Sequence, residues 1–253
     1  MSAYDLTDYR FKEQLYMKNL GIFGDSYAAT VPSIDSFRNG WSRQLLDKDP
    51  EGTEIYAEQG SSLIFSYDLF VKHNHKFKQN IFVVTASDRL TLPVKCRHKK
   101  TGEEALLTHW NSLLQAEHDD KEYTSENNLI KKIIDYFVYI NVNYEYNDLM
   151  QKTIIDQILT VRPDTIVIPA YFMTDRTRHY CPGYKWSLAY IDANERARFK
   201  WDPFNDPRAN HLSKQSNLWV LNHVEERLRG KFIDWNPSLT PQFTSFVELK
   251  HSS

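Results

Sequence analysis

The feature that most constrains this chain is a recurrence of short apolar runs separated by stretches of helical periodicity. Leu20 to Phe23, Ile81 to Val84 and Thr165 to Ile168 are each followed by turn residues and read as strands buried on both faces. After the first run, Ile34, Phe37, Trp41 and Leu45 recur at helical spacing, Leu46 widens the stripe, and the helix is expected to end near Asp47. Glu54 to Ala57 reads as a weaker strand, and Leu63 to Val71 as the next crossover helix. Strand, helix, strand in this order predicts a parallel α/β sheet, because parallel neighbours need a crossover between them.

From Lys95 to about Asn128 the chain turns polar, which is long for a strand-to-helix connection, and we read residues of about 95–128 as an insertion in a single domain covering 1–253. Two helical stripes follow, Leu129, Ile133, Ile134 and Phe137, then Leu149, Ile154, Ile155 and Ile158, before the turn RPD and the strand TIVIPA. A third long connection, Asp175 to Asn205, lacks periodicity and falls where α/β proteins usually build substrate sites. Ser213 can cap a last helix whose Leu218, Leu221, Val224 and Leu228 face inward and which closes at Gly230.

Composition narrows the function classes. The 253 residues are 41% hydrophobic and 25% charged, enough to bury a continuous core. With 31 Lys and Arg against 33 Asp and Glu the net charge is -2, so no overall field favours a phosphate backbone, and a nucleic-acid partner is not expected. The basic cluster Lys95, Arg97, Lys99 and Lys100 reads as a solvated face of the insertion. Two cysteines, Cys96 and Cys181, cannot make a disulfide framework and suit a reducing compartment. Charged residues interleave through Met1 to Met17, and no run of about 18 apolar residues occurs, so the expectation is a cytoplasmic protein with no membrane partner.

The strongest chemical motif is Gly24-Asp25-Ser26, a serine at the turn that ends the first strand, with Ala28 and Ala29 just behind it. A serine nucleophile needs a base, and His211 stands just before the last helix with Asp206 five residues and Asp202 nine residues ahead of it. Either carboxylate would accept the other imidazole N–H and fix the tautomer, and Asp206 is preferred because Pro207 stiffens the loop. His73 and His75 lack third and fourth partners for a metal, and Cys181 beside His179 reads as structural. No metal or organic cofactor is expected.

Taken together, the GDS turn, the EQGSS loop after the second strand, the polar turn TASDR after the third and an Asp…His pair before the final helix resemble the SGNH hydrolases, or GDSL esterases. The resemblance implies a three-layer α/β/α sandwich around a mainly parallel, flavodoxin-like sheet of about five strands. It implies that Ser26 is the nucleophile, His211 the base, and Gly60 a backbone oxyanion donor. In the third block the family shows Gly-x-Asn-Asp where this chain has Thr85-Ala86-Ser87-Asp88, so Ser87 stands in the asparagine position, with Asp88 and Arg89 beside it. In the last block the family spacing Asp-x-x-His would put the acid at residue 208, which is Arg208 here. The implied activity is hydrolysis of a carboxylic ester of a small molecule or an O-acylated carbohydrate. Trp110, Tyr180, Tyr184 and Trp186 are expected in the pocket walls. The other readings are an SGNH-fold binding or structural module with weakened catalysis, and an acyltransferase.

Overall fold

The computed structural model describes residues 18–30, 40–139, 144–170, 212 and 214–230. The main sheet contains β1 (Lys18–Gly24), β2 (Thr53–Ala57), β3 (Phe77–Val84) and β7 (Ile166–Pro169), all parallel, in the order β2-β1-β3-β7. Ile22, Phe23, Ile81, Phe82, Val83, Val84 and Ile168 are wholly enclosed. At about 1.5–3 kcal/mol for each large side chain taken out of water, these runs supply much of the stabilising burial. All three apolar runs read as strands lie in this sheet, and so does the weaker candidate at Glu54 to Ala57.

The order explains the layers. β2 lies on one side of β1 and β3 on the other, so right-handed crossovers send the two connecting helices to opposite faces. The first is α1 (Trp41–Lys48), which packs beside the last helix, α6 (Lys214–Leu228). The second is α2 (Leu63–His73), which packs beside α5 (Tyr144–Val161). On the α2 face the Phe23 ring stacks on Tyr56 at 5.3 Å and meets Phe70 edge-on. Just after α5, Arg162 donates to the carbonyls of Asn74, Phe77 and Lys78, fastening the helix end to the start of β3.

Two stripes keep their expected faces except at one residue each. Ile154, Ile155 and Ile158 on α5, and Leu221 and Val224 on α6, are buried in the core, whereas Leu149 is 60% exposed and Leu218 is 50% exposed. Both leucines sit at the end of a stripe, where a drift of one residue carries a side chain around the helix. Residues 31–39 of the expected first helix lie outside the described residues.

Residues 90–139, which include the polar stretch of 95–128, are regular. β4 (Leu90–His98), β5 (Glu104–Trp110) and β6 (Tyr123–Ser125) form an antiparallel sheet in the order β5-β4-β6. With α3 (Leu113–Glu122) and α4 (Leu129–Tyr139) they enclose a second core of Val94, Cys96, Trp110, Ala116, Ile130, Ile133 and Phe137. Trp110, expected in a pocket wall, is fully buried there, and its indole donates to the carbonyl of Leu92. The pairing shifts between Thr91 and Val94, where Pro93 has no N–H to offer the ladder. Lys95 and Arg97 alternate outward from Val94 and Cys96, and burial raises the pKa of the Cys96 thiol.

Two predictions arise from these elements. Gly24 has φ +155°, and a Cβ there would stand 2.7 Å from Cβ of Val83. Gly24→Ala is expected to lose about 1–3 kcal/mol from this overpacking, read as a lower denaturant midpoint at unchanged slope. His223 on α6 has a pKa below the usual 6.5 because burial penalises its charged form, a penalty partly offset by its Nδ1 contact at 2.8 Å with the carbonyl of Trp219. A depressed base binds its proton more weakly in the fold than in the unfolded chain. Its contribution is therefore complete above about pH 6.5 and is lost as pH falls through the folded value. Denaturation at pH 7.5 and pH 5 should show a smaller acid loss in His223→Phe than in wild type.

Candidate functional site

Gly24-Asp25-Ser26 leaves the carboxyl end of β1, and Thr85 to Arg89 leaves the carboxyl end of the adjacent β3. Because β2 and β3 lie on opposite sides of β1, this pair of ends is the topological switch point, where open α/β sheets form their ligand crevice. Ser26 is half-buried at the corner of the turn.

The turn is set by Asp25, which is wholly enclosed. Its Oδ1 accepts the N–H of Tyr27 at 3.1 Å, and its backbone carbonyl accepts the N–H groups of Ala28 and Ala29. Its Oδ2 accepts the Thr85 hydroxyl at 2.6 Å and the Arg89 guanidinium at 2.9 Å. One carboxylate thus joins the two turns that flank the crevice. Asp25 and Arg89, both expected near substrate or oxyanion, bond to each other, and the Arg89 side chain is only 10% exposed. Burial pushes the Asp88 carboxyl above its usual range, and the neighbouring Arg89 charge offsets part of that.

The EQGSS loop lies against the same turn. The Ser61 hydroxyl donates to the carbonyl of Gly24 at 3.3 Å, and Ser62 caps α2 by accepting the N–H of Phe65. Gly60 has φ +73°, and a Cβ there would stand 2.9 Å from the Asn111 carboxamide. The second sheet fixes this loop from outside. The N–H of Ser62 donates to Oγ1 of Thr91, which lies 3.2 Å from Nδ1 of His109, and Nε2 of His109 lies 3.1 Å from Oε2 of Glu58. In the tautomer protonated at Nε2, His109 accepts the Thr91 hydroxyl at Nδ1 and donates its Nε2–H to the Glu58 carboxylate. Nothing in the spacing of Glu58, Thr91, His109 and Asn111 marks them in the sequence, since they meet only when the two sheets pack.

Beside the crevice is a cavity of about 310 Å³ enclosed by α2, α4, α5 and the start of β4, lined by Ser62, Ser87, Arg89, Thr91, Tyr136 and Tyr146 and by apolar side chains such as Leu63, Phe65 and Met150. Ser87 therefore lies on this cavity wall. The Tyr136 hydroxyl has a raised pKa, chiefly from burial and then from Tyr146 and Asp88 nearby. His211, Asp206 and Asp202, along with Tyr180, Cys181, Tyr184 and Trp186, lie outside the described residues. Among the described residues no three His, Cys, Asp or Glu side chains group as metal ligands, and no helix is long and apolar enough to cross a membrane.

No protein-family model matches the chain, and no curated protein is significantly similar to it. One solved structure, described as a "putative lipolytic protein of G-D-S-L family" from Desulfitobacterium hafniense DCB-2, matches 83% of this chain and 99% of its own at 12% identity with a TM-score of 0.40. At that score the two backbones agree only loosely.

Proposed function

We propose that this chain is a serine hydrolase that cleaves a carboxylic ester. The observation that carries the reading is the position of Ser26, half-exposed at the switch point on a turn whose own hydrogen bonds are met by Asp25. In this reading Ser26 Oγ attacks the ester carbonyl while His211 takes its proton, with Asp206, or Asp202 in its place, orienting the imidazole. The backbone N–H groups of Ser26 and Gly60 hold the oxyanion. The alcohol leaves with the proton from His211, and water then attacks the acyl-enzyme to release the acid and restore the serine.

Arg89 and Asp25 have structural roles here: they hold the nucleophile turn to the end of β3, and the Arg89 charge is already matched. The cavity that Ser87 and Arg89 border, with leucine, phenylalanine and methionine as well as tyrosine and serine in its walls, has room for a small ester. Turnover of a short-chain aryl ester across pH 6 to 9 tests the reading. Hydrolysis by wild type that is lost in Ser26→Ala and in His211→Ala is expected. No turnover by folded wild type would overturn it in favour of a binding module, the reading that Ser87 in the family's asparagine position also favours.

A further inference from the structure

The two residues assigned to the chemistry come from opposite ends of the chain, Ser26 after β1 and His211 before α6. Each is one peptide bond from a group held in a buried relay that joins the two helices on one face of the sheet. The Trp41 indole donates to the carbonyl of Tyr27, the residue after Ser26, at 2.9 Å. The backbone N–H of Trp41 donates to Oδ1 of Asn217 at 3.1 Å, and Nδ2 of Asn217 donates to the carbonyl of Leu212, the residue after His211, at 2.9 Å. Trp41 is wholly buried, Leu212 is 4% exposed and Asn217 is 5% exposed.

Local structure explains why a carboxamide is suited to the place. Trp41 opens α1 behind Gly40, which has no side chain to cap the helix, so the first N–H would be an orphan without an outside acceptor. Leu212 needs a donor for its carbonyl in the same dry space. An asparagine satisfies both with its two ends, and an apolar residue there would strand two buried backbone groups.

Resting on the hydrolase reading, we propose that Asn217, working through Trp41, is a positioning residue that sets the His211 segment against the Ser26 turn. It touches neither substrate nor the reacting atoms. Its effect is to fix the separation of nucleophile and base, and a misplacement on the order of 1 Å in such a pair costs about 100-fold in rate.

The test is the rate at which a fluorophosphonate probe labels the full-length protein, with kcat and KM for the aryl ester alongside. Asn217→Asp keeps the acceptor for Trp41 N–H but removes the donor to Leu212, and Trp41→Phe keeps the ring and the backbone bond but removes the indole donor. Lys48→Gln is the control, since Lys48 pairs with Glu225 across the same two helices on the surface. Labelling and kcat are expected to fall about 10- to 100-fold in Asn217→Asp at little-changed KM, and several-fold in Trp41→Phe. Lys48→Gln should label like wild type. The ratio of Asn217→Asp to wild type should climb as pH is lowered from 8 to 6, because a protonated carboxyl regains a donor for Leu212. Folded Asn217→Asp that labels at the wild-type rate overturns the inference, as does a loss carried by KM with a flat pH ratio. If Asn217→Asp fails to fold, Trp41→Phe decides by its labelling rate and kcat. Wild type that takes no label overturns the hydrolase reading itself, which separates the two failures.

Discussion

Ser26→Ala is expected to lower kcat for ester hydrolysis by about 10⁴- to 10⁶-fold while leaving the thermal midpoint within a degree or two of wild type. The two halves of this expectation have separate causes. Removing the hydroxyl removes the atom that would form the acyl-enzyme, and no other group on the turn can take its place: Asp25 is enclosed and held by Thr85, Arg89 and the N–H of Tyr27. The turn should nevertheless keep its shape, because its bonds run through the Asp25 carboxylate and carbonyl to Tyr27, Ala28 and Ala29. A variant with intact midpoint and intact turnover would move the nucleophile elsewhere.

Asp25→Ala is expected to be the most destabilising single change near the site, at about 3–5 kcal/mol. The side chain is wholly enclosed, and its loss removes the carboxylate that pairs with the Arg89 guanidinium at 2.9 Å and accepts the Thr85 hydroxyl. Because the two residues share this buried ion pair, Asp25→Ala combined with Arg89→Leu should cost less than the two single changes added together. A double-mutant cycle by urea denaturation measures that difference. A single-variant loss below about 1 kcal/mol would show that the pair behaves like an exposed ion pair.

The main sheet was legible because its strands are buried on both faces. Leu20 to Phe23 and Ile81 to Val84 are unbroken apolar runs, and a run so short between turn residues suits a strand buried on both faces better than a helix. The second sheet was hidden because one of its faces is wet. In Val94-Lys95-Cys96-Arg97 the period of two is present, but half of the residues are charged and the stretch reads as polar. Trp110 illustrates the same difficulty: an aromatic in a polar stretch reads as a pocket wall until the small core it belongs to is known.

The candidate site divides in the same way. Ser26 stood out because a glycine-acid-serine turn at a strand end is a local pattern. The partners of Asp25 did not, because Thr85 and Arg89 lie 60 and 64 residues away and only strand adjacency brings them together. Arg89, expected as a donor to the oxyanion, could not be placed on Asp25 until β1 and β3 were known to be neighbours. The relay through Trp41 and Asn217 was hidden for the same reason, since its members come from both ends of the chain.

Mapping the site of covalent attachment of a fluorophosphonate probe decides whether Ser26 is the nucleophile. The serine oxygen attacks phosphorus, fluoride leaves, and the proton passes to the base, so the adduct records which hydroxyl is activated. A single adduct is expected, recovered on the peptide that contains Ser26, whose formation slows in His211→Ala. An adduct on another residue, or none on folded protein between pH 6 and 9, would contradict it.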